Sequence, residues 1–441
     1  MAATPPDPLD AAHLPPATPE RAIRNPLDPR NPLAGIYLST TLFELAEGAL
    51  RFLVPLHLNQ QGLGPEAIGI VLFAFAAASL LARGFTAGVY THVRARRLIF
   101  GAGLASTVAY LLVPFVQDSV VLFGILLAID GFGWGVATTT LLAVMMVSTP
   151  KSMSSAVAMG WFVGFQGIAF AIATTVAGVL ADRVGIQNAM LVLATLPVVA
   201  ATLVALKLPR PDRLEEGPAA GIGQAGGLDA RRRGRVRHSL GRAWRQLAGL
   251  PFAVWAAATV ALYLNVMNGI LASFYPLLGL GLGLTFAQIG SLSSMRSAVS
   301  SVARFGAGWL FARIPAHRLH LPLLTLSAAT VAILPSLPSY ATTFPAFMLN
   351  GASRGLLRVT TGAAAMDAMQ GQQAGLGAAA MTAGLDVGKM IGPLVGGFVA
   401  GAFGLDVMFR VVPLALLGLY VVLYLLTPRA RTRPAADATT L

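Results

Sequence analysis

The sequence predicts an all-α membrane protein in which twelve transmembrane helices form two pseudo-symmetric halves of six helices each. Three observations support this fold class: the composition, the recurrence of apolar segments, and an internal repeat. Hydrophobic residues make up 56% of the 441 residues and charged residues only 11%, whereas a soluble domain has about 25% charged residues. Apolar segments of about 20 residues, long enough to cross roughly 30 Å of hydrocarbon, recur along the chain.

The apolar segments are separated by short connections and by one long interruption. Residues 1–32 are rich in Pro and have no apolar run, which predicts a disordered cytoplasmic tail and not a cleavable signal peptide. We expect residues 33–207 to form an N-terminal six-helix half, 208–250 a cytoplasmic linker, 251–428 a C-terminal six-helix half and 429–441 a second cytoplasmic tail. The predicted segments are 34–58, 66–91, 97–116, 119–148, 153–181, 188–207, 251–279, 286–312, 320–338, 341–367, 374–403 and 407–427.

The distribution of Lys and Arg predicts the orientation in the membrane. Nearly all basic residues of the connections and tails lie on the side of the two termini, including the stretch Arg231–Arg237 in the linker. The loops of the other side hold only Arg183 and Arg410. By the positive-inside rule both termini are cytoplasmic, and the composition suggests a bacterial inner membrane. The net charge of +13 therefore reflects orientation and not a nucleic-acid-binding surface.

The sequence offers no metal site and no cofactor site. It contains no Cys, which excludes disulfides, thiolate ligands and Cys nucleophiles. The closest-spaced His pair, His317 and His320, is expected in a polar loop beside Arg318. No P-loop, nucleophile motif or dinucleotide fingerprint is present, so the sequence predicts neither an enzyme nor ATP as the energy source.

An internal repeat divides the chain into two copies of one unit. The stretch Glu44–Gly69 returns 221 residues later as Asn265–Gly290, with paired Asn where the first copy has paired Glu. A repeat of this length within one chain is typical of transporters built from two related halves. Further matching pairs are Arg83 with Arg304, Asp130 with Asn350, Gly131 with Gly351, Gly135 with Gly355, Gly178 with Gly397, and Gly185 with Gly404.

The connection after the second segment resembles a signature of the major facilitator superfamily. Gly88, Arg96 and Arg97 fit the family pattern Gly-x-x-x-Asp-Arg/Lys-x-Gly-Arg/Lys-Arg/Lys, whereas His92 stands in place of the Asp. The resemblance covers residues 33–428. It implies a transporter fold whose first, fourth, seventh and tenth helices line a central cavity.

A second resemblance lies in the eleventh segment. Its stretch Gly392-Pro393-x-x-Gly396-Gly397 is similar to the Gly-Pro-x-x-Gly-Gly element of proton-coupled exporters, which in those proteins lies in the fifth helix. This similarity favours export over import.

Acidic residues embedded in the first and fourth segments are the candidates for proton coupling. Glu44, Glu47 and Arg51 lie at i, i+3 and i+7, which places them on one helix face. Asp130 lies in the fourth segment beside Gly131. An ionised residue at mid-membrane costs roughly 2.5–3.5 kcal/mol, so such residues indicate a functional site. The alternative is structural: Glu47 and Arg51 would neutralise one another, and Asp130 would be a packing contact.

Basic and amide side chains supply the candidates for substrate binding. Arg354 and Arg358 share a face of the tenth segment at i, i+4, and their repulsion predicts a nearby anion, either a protein carboxylate or a substrate. Asn265 and Asn268 stand in the seventh segment at the positions of the paired Glu. The other candidates for substrate binding are Arg51, Arg296 and Asn350.

A third set of embedded charges is expected to have structural or gating roles. It contains Arg83 in the second segment, Arg304 in the eighth, and Asp386 with Lys389 at i, i+3 in the eleventh. Asp386 is expected to pair with Lys389 or with Arg296.

These observations and the resemblance predict a secondary active transporter that moves a small organic solute by alternating access, coupled to protons. Glu44, Glu47 or Asp130 would change protonation, because desolvation disfavours an ionised acid and a nearby Arg favours it. An organic-anion importer or facilitator on the same fold is one alternative. A non-transporting scaffold or assembly factor is the other. The expected partners are the solute, protons and the lipid bilayer, and the expected state is a monomer.

Overall fold

The computed structural model of the protein describes six stretches of the chain. They are residues 33–149, 155–207, 252–311, 313–314, 316–367 and 374–426. The predicted tails and the predicted linker lie outside the described residues. The described residues form α-helices joined by short connections, and they contain no strand. The all-α fold class is thereby confirmed.

Thirteen α-helices make up the described part of the chain. The sixth and seventh follow one another within a single apolar span, Ile186–Leu206, so the thirteen helices give twelve crossings. We call the side where α1 begins and α13 ends the terminal face, and the opposite side the distal face. The helices are α1 Ala34–Gln60, α2 Pro65–Val89, α3 His92–Leu112, α4 Val120–Ser148, α5 Ser155–Val184, α6 Ile186–Leu193, α7 Leu196–Lys207, α8 Phe252–Gly281, α9 Phe286–Phe311, α10 Ala316–Ala332, α11 Tyr340–Asp367, α12 Ala374–Phe403 and α13 Leu405–Leu426.

Two helices begin four or five residues earlier than the apolar segments predict. Helix α3 begins at His92, because the Thr91 hydroxyl accepts a hydrogen bond from the Arg94 amide at 3.3 Å and caps the first turn. Helix α10 begins at Ala316, so the expectation of a polar loop around His317 and His320 is wrong. In both cases a charged first turn continues an apolar helix, and an apolar run alone does not reveal such a turn.

The described residues contain seven spans that are long and apolar enough to cross a membrane by composition alone. Helices α1, α9, α10, α11 and α12 are not among them. Four of these five, all but α10, carry embedded charged residues that the sequence singles out, such as Glu44 in α1, Arg296 in α9 and Arg354 in α11. The same side chains therefore weaken the membrane signal and mark the candidate site.

Repeated glycines allow helices to cross closely within each half. A Cβ at Gly131 of α4 would overlap the carbonyl group of Phe75 in α2. At the equivalent position of the second half, a Cβ at Gly351 of α11 would lie 2.5 Å from the carbonyl oxygen of Arg296 in α9. The two halves thus use the same crossing, as expected for small residues at membrane helix contacts.

A second set of repeated glycines joins the two halves near the distal face. A Cβ at Gly69 of α2 would lie 2.6 Å from the carbonyl oxygen of Pro393 in α12. At the symmetry-related contact, a Cβ at Gly290 of α9 would overlap the Thr174 carbonyl of α5. Because backbone meets backbone at both contacts, the halves approach as closely as two helices can.

Four further glycines form the turns that connect these helices. Gly62 and Gly283 have φ of 82° and 80°, and Gly185 and Gly404 have φ of 83° and 87°. Backbone of this left-handed kind favours Gly, because a Cβ adds strain there. Each pair occupies matching positions of the repeat.

Candidate functional site

A cavity of about 560 Å³ lies between the two halves and extends from the middle of the bundle toward the terminal face. Its volume is within the roughly 300–1,000 Å³ of small-molecule sites. Its described lining comes from α1, α2, α4, α5, α8, α9, α11 and α12. The charged and polar lining residues include Glu44, Arg51, Arg83, Trp134, Gln166, Asn265, Asn268, Arg304, Arg354, Arg358 and Lys389.

Contacts between the halves bound this cavity on the distal side. The Asp182 carboxylate at the end of α5 accepts hydrogen bonds from the Phe286 amide at 3.1 Å and the Ala287 amide at 2.8 Å. Those amides belong to the first turn of α9, where unpaired N–H groups and the helix dipole favour a negative charge. About two turns deeper, the hydroxyls of Thr174 and Ser294 lie 2.8 Å apart across the same interface.

The three candidate residues of α1 share a face, but they have different surroundings. Glu44 lines the cavity, and its Oε1 accepts a hydrogen bond from Gln166 Nε2 of α5 at 3.2 Å. Glu47 is buried behind it and pairs with Arg51 at 2.7 Å, as the structural alternative required. The second oxygen of Glu47 accepts a hydrogen bond from the Tyr110 hydroxyl of α3 at 3.2 Å. Glu44 is therefore the acid of α1 that reaches the cavity.

Aromatic rings hold the Arg51 side chain in place. Its guanidinium lies 4.8 Å from the ring centroid of Phe75 and 5.5 Å from that of Trp134. These distances are in the range of cation–π interactions. Together with the Glu47 ion pair, they explain how a cation is accommodated in the middle of the bundle.

Asp130 lies away from the cavity, with 1% of its surface exposed. Its charged and hydroxyl-bearing neighbours are Glu47, Arg51, Tyr110 and Ser106. Its Oδ2 is buried and has no hydrogen-bond partner among the described residues. Asp130 thus belongs to a buried polar network behind α1 and not to the cavity wall.

The cavity wall of the second half is basic. Arg304 of α9 and Arg354 and Arg358 of α11 line it. Asn268 of α8 lines the same cavity and accepts a hydrogen bond from Arg296 of α9, which is buried. Asn265 also lines the cavity, and its Nδ2 donates to the Ala261 carbonyl at 3.0 Å.

Asn350 lies away from this cavity, although the sequence suggested it as a substrate-binding residue. It is buried, and its Nδ2 contacts the Ser327 carbonyl at 3.3 Å and the Thr330 hydroxyl at 3.2 Å, both in α10. Asn350 lies eight residues, about 12 Å, from Arg358 along α11 on the distal side, where α10 covers it.

Asp386 of α12 pairs with Arg83 of α2 and not with Arg296. Arg83 Nη1 lies 2.8 Å from both carboxylate oxygens, and Lys389 Nζ lies 3.9 Å from Oδ1. The Arg296 alternative is therefore wrong: the halves pack α12 against α2, which brings the two charges together. Arg83 and Asp386 are 303 positions apart, so periodicity gives no sign of this pair.

Several lining residues carry no signal in the sequence. Trp134, Phe170 and Met159 border the cavity, and Tyr110 supports Glu47. Aromatic and Met side chains in an apolar segment are indistinguishable from lipid-facing ones until helix packing is known. Gln166 is different, because an amide within a membrane segment is costly and marks a candidate by its polarity.

Comparison with known proteins gives a family and a fold. The family model described as Major Facilitator Superfamily matches residues 36–342 and 265–440. A solved structure of a mutant of the nucleoside transporter NupG is 13% identical and superposes with a TM-score of 0.68, covering 90% of this chain and 98% of that chain. An inward-facing, occupied structure of a bacterial homologue of the human lysosomal transporter Spinster is 12% identical, with a TM-score of 0.65, covering 89% and 91%.

No curated protein matches the chain in sequence. At such low identities the solved structures establish the fold alone. The family model, however, spans both halves, and the structure shows the repeated helix crossings of such a transporter fold. The chain therefore belongs to the major facilitator superfamily.

Proposed function

We propose that this membrane protein is a secondary active transporter that exports a small organic solute in exchange for protons. The observation that carries the proposal is the cavity between the two halves, which combines embedded charges with a boundary of inter-half contacts on one side. An arrangement of this kind suits one end state of alternating access, in which one half rocks against the other. The fold neighbours, a nucleoside transporter and a homologue of a lysosomal transporter, support a role in solute transport.

Glu44 is the proposed proton-binding residue. It is the acidic residue of the described cavity lining, and its charged neighbours include Lys389 of the opposite half. A Lys nearby favours the ionised carboxylate, whereas burial without that Lys favours the protonated form. Because Glu44 and Lys389 belong to different halves, rocking changes their separation. Proton binding would then be linked to the conformational change.

Glu47 and Asp130 have a supporting role in this proposal. Glu47 already holds Arg51 and Tyr110, and Asp130 is sealed behind them. A proton passing beyond Glu44 would encounter Asp130, whose Oδ2 has no hydrogen-bond partner among the described residues. Exchange of Asp130 with water would require this buried network to open.

Direction, orientation and oligomeric state belong to the same proposal. The element Gly392-Pro393 supports export, and the bias of basic residues toward the terminal face supports cytoplasmic termini in a bacterial inner membrane. With that orientation, the cavity faces the cytoplasm. Because the cavity is lined within one chain, a monomer suffices for transport.

The test is substrate-dependent proton movement in proteoliposomes with an imposed pH gradient. The full chain would be assayed with a panel of small organic anions, neutral compounds and lipophilic cations. Glu44→Gln is expected to abolish proton movement while keeping the cavity shape. Asp118→Asn is the matched control, because Asp118 is an exposed acid of the connection between α3 and α4, at the distal end. It should retain coupling.

Each other outcome contradicts a stated part of the proposal. Solute transport without proton movement in the unmodified protein would make it a facilitator. If proton coupling persists in Glu44→Gln but is lost in Asp130→Asn, the proton-binding residue is Asp130 and not Glu44. Absence of transport for every compound would favour a non-transporting scaffold.

A further inference from the structure

Three arginines form a continuous basic surface on one side of the cavity, which we call the arginine wall: Arg304 in α9, and Arg354 and Arg358 in α11. Arg354 and Arg358 are one helical turn apart, and α9 packs against α11 through the Gly355 crossing at Ser300. The acidic residue among the described lining, Glu44, lies on the opposite half. The wall is therefore positively charged over its whole length.

Carboxylates of the described protein do not neutralise this wall. The ion pairs of the described residues join Arg51 to Glu47, and join Arg83 and Lys389 to Asp386. None of these ion pairs among the described residues includes an arginine of the wall. Among the described residues, the charged groups that act on Arg354 are Arg296, Arg304 and Arg358.

The hydrogen bonds of the wall are also incomplete. Arg304 Nη2 donates to the Ser300 hydroxyl at 3.3 Å, but its Nε is buried without a partner among the described residues. The indole Nε1 of Trp134, in the opposite half, is also buried and has no hydrogen-bond partner among the described residues. Unpaired donors of this kind are costly inside a protein.

The repulsion between Arg354 and Arg358 leaves two sources for the compensating anion, a protein carboxylate or a solute. Glu44 accepts a hydrogen bond from Gln166 on the other side of the cavity. Glu47 and Asp130 are buried away from the cavity. The described carboxylates are thus held away from the wall by their own contacts. No carboxylate among the described residues is therefore placed to neutralise the wall, which favours a solute as the source of negative charge.

We infer that the transported solute carries two or more negative charges at one end, which bind the arginine wall, and an apolar body that packs against the opposite side. Guanidinium groups bind phosphate and carboxylate oxygens through paired hydrogen bonds. The three guanidinium groups of the wall carry more positive charge than the single carboxylate of the described lining can balance, so a doubly charged group suits the site. Trp134, Phe170 and Met159 supply the apolar surface for the body. This substrate class rests on the transport function proposed above.

Equilibrium binding tests the inference without requiring transport. The full chain in detergent would be titrated with four probes that share a phenyl ring: phenyl phosphate, phthalate, benzoate and benzyl alcohol. We expect measurable binding of the two dianions, and at least about tenfold weaker binding of benzoate and benzyl alcohol, since each lost charge-assisted contact costs about 1.5–3 kcal/mol. Phenyl phosphate and phthalate distinguish a phosphate monoester from a dicarboxylate as the bound group.

Variants then assign the binding to the wall. Arg354→Gln and Arg358→Gln should each weaken dianion binding by about 10- to 150-fold, and Arg354→Lys should weaken it less. Arg410→Gln is the matched control, because Arg410 lies on α13 outside the cavity and donates to Ser336 at 3.0 Å. Thermal melting without ligand verifies that each variant is folded, and the milder Arg354→Lys serves if the Gln variants are not.

Three results would overturn the inference: benzoate or benzyl alcohol binding as tightly as the dianions, dianion binding that Arg410→Gln weakens as much as Arg354→Gln, or no binding of any probe. Dianion binding in the absence of transport would support the wall as an anion site and contradict the transport proposal. Transport of uncharged compounds alone would do the reverse.

Discussion

Substitution of Gly178 by Ala is expected to open the distal side of the protein. Gly178 lies near the distal end of α5, and a Cβ there would overlap the Phe286 carbonyl of α9 and lie 3.1 Å from the Ala287 Cα. Both atoms are backbone atoms of the other half, so no side-chain rotation can relieve the contact. The added methyl group is tolerated only where the two halves move apart at this point.

The magnitude follows from the cost of overpacking. An extra methyl group in a well-packed contact costs about 1–3 kcal/mol. If that cost applies to the described state and vanishes when α5 and α9 separate, it shifts the equilibrium between the two states by about 5- to 150-fold. A shift of this size is readily seen as a change in populations.

The absence of Cys makes the measurement direct, because two introduced cysteines are the only labelling sites. Spin labels at Val184 of α5 and Val407 of α13, both exposed near the distal face, report the separation of the halves. Pulsed electron resonance is expected to show a larger population at long distance in Gly178→Ala. The protein would be measured in lipid nanodiscs.

Two further glycines provide controls. A Cβ at Gly164, on the same helix, would meet nothing within 4 Å, so Gly164→Ala should leave the distances unchanged. Gly131→Ala crowds a contact within one half, so it should lower thermal stability without changing the distances. The reasoning is refuted if Gly178→Ala gives the distances of Gly164→Ala in a protein of unchanged stability.

Three more predictions concern side chains around the site. Arg83→Gln and Asp386→Asn should change the distance between the two spin labels in the same way. A double-mutant cycle should give a coupling free energy of about 0.5–3 kcal/mol between the two residues. Additive effects would show that this ion pair between the halves has no energetic role. Asn350→Ala should lower the free energy of unfolding by about 1–3 kcal/mol, because Ser327 and Thr330 lose a buried partner. A change in solute affinity at unchanged stability would contradict the position of Asn350 outside the cavity. Tyr110→Phe should lower the free energy of unfolding by about 0.5–1.5 kcal/mol, because Glu47 keeps its ion pair with Arg51 and loses only the hydrogen bond from the Tyr110 hydroxyl. An unchanged melting temperature would exclude this hydrogen bond.

Much of the fold is readable from local patterns. Apolar length predicts the crossings, since each helix must span the same hydrocarbon thickness. The repeated glycines predict the two-fold organisation, and in the structure Gly62 with Gly283, and Gly185 with Gly404, adopt matching left-handed backbone. The helix starts at α3 and α10 were missed, because a polar first turn leaves no apolar signal.

For the site, sequence reasoning identifies the charged residues but not their grouping. Glu44 and Glu47 fall on one face by periodicity, and yet only Glu44 lines the cavity, because the neighbouring α3 covers Glu47 with Tyr110. Asn350 and Arg354 share a face of α11 by periodicity, and yet only Arg354 lines the cavity, because α10 covers Asn350. Cavity exposure depends on which neighbour covers each face.

The sequence by itself determined the membrane class, the number of crossings, the duplication and the set of embedded charges. These properties depend on chain length, residue polarity and spacing along one helix. The tertiary structure decided which charges meet: Arg83 with Asp386 across the two halves, Glu44 with Gln166, and the arginine wall with no carboxylate among the described residues. Such pairings join helices that are far apart in the chain, and only the packing of one half on the other brings them within reach.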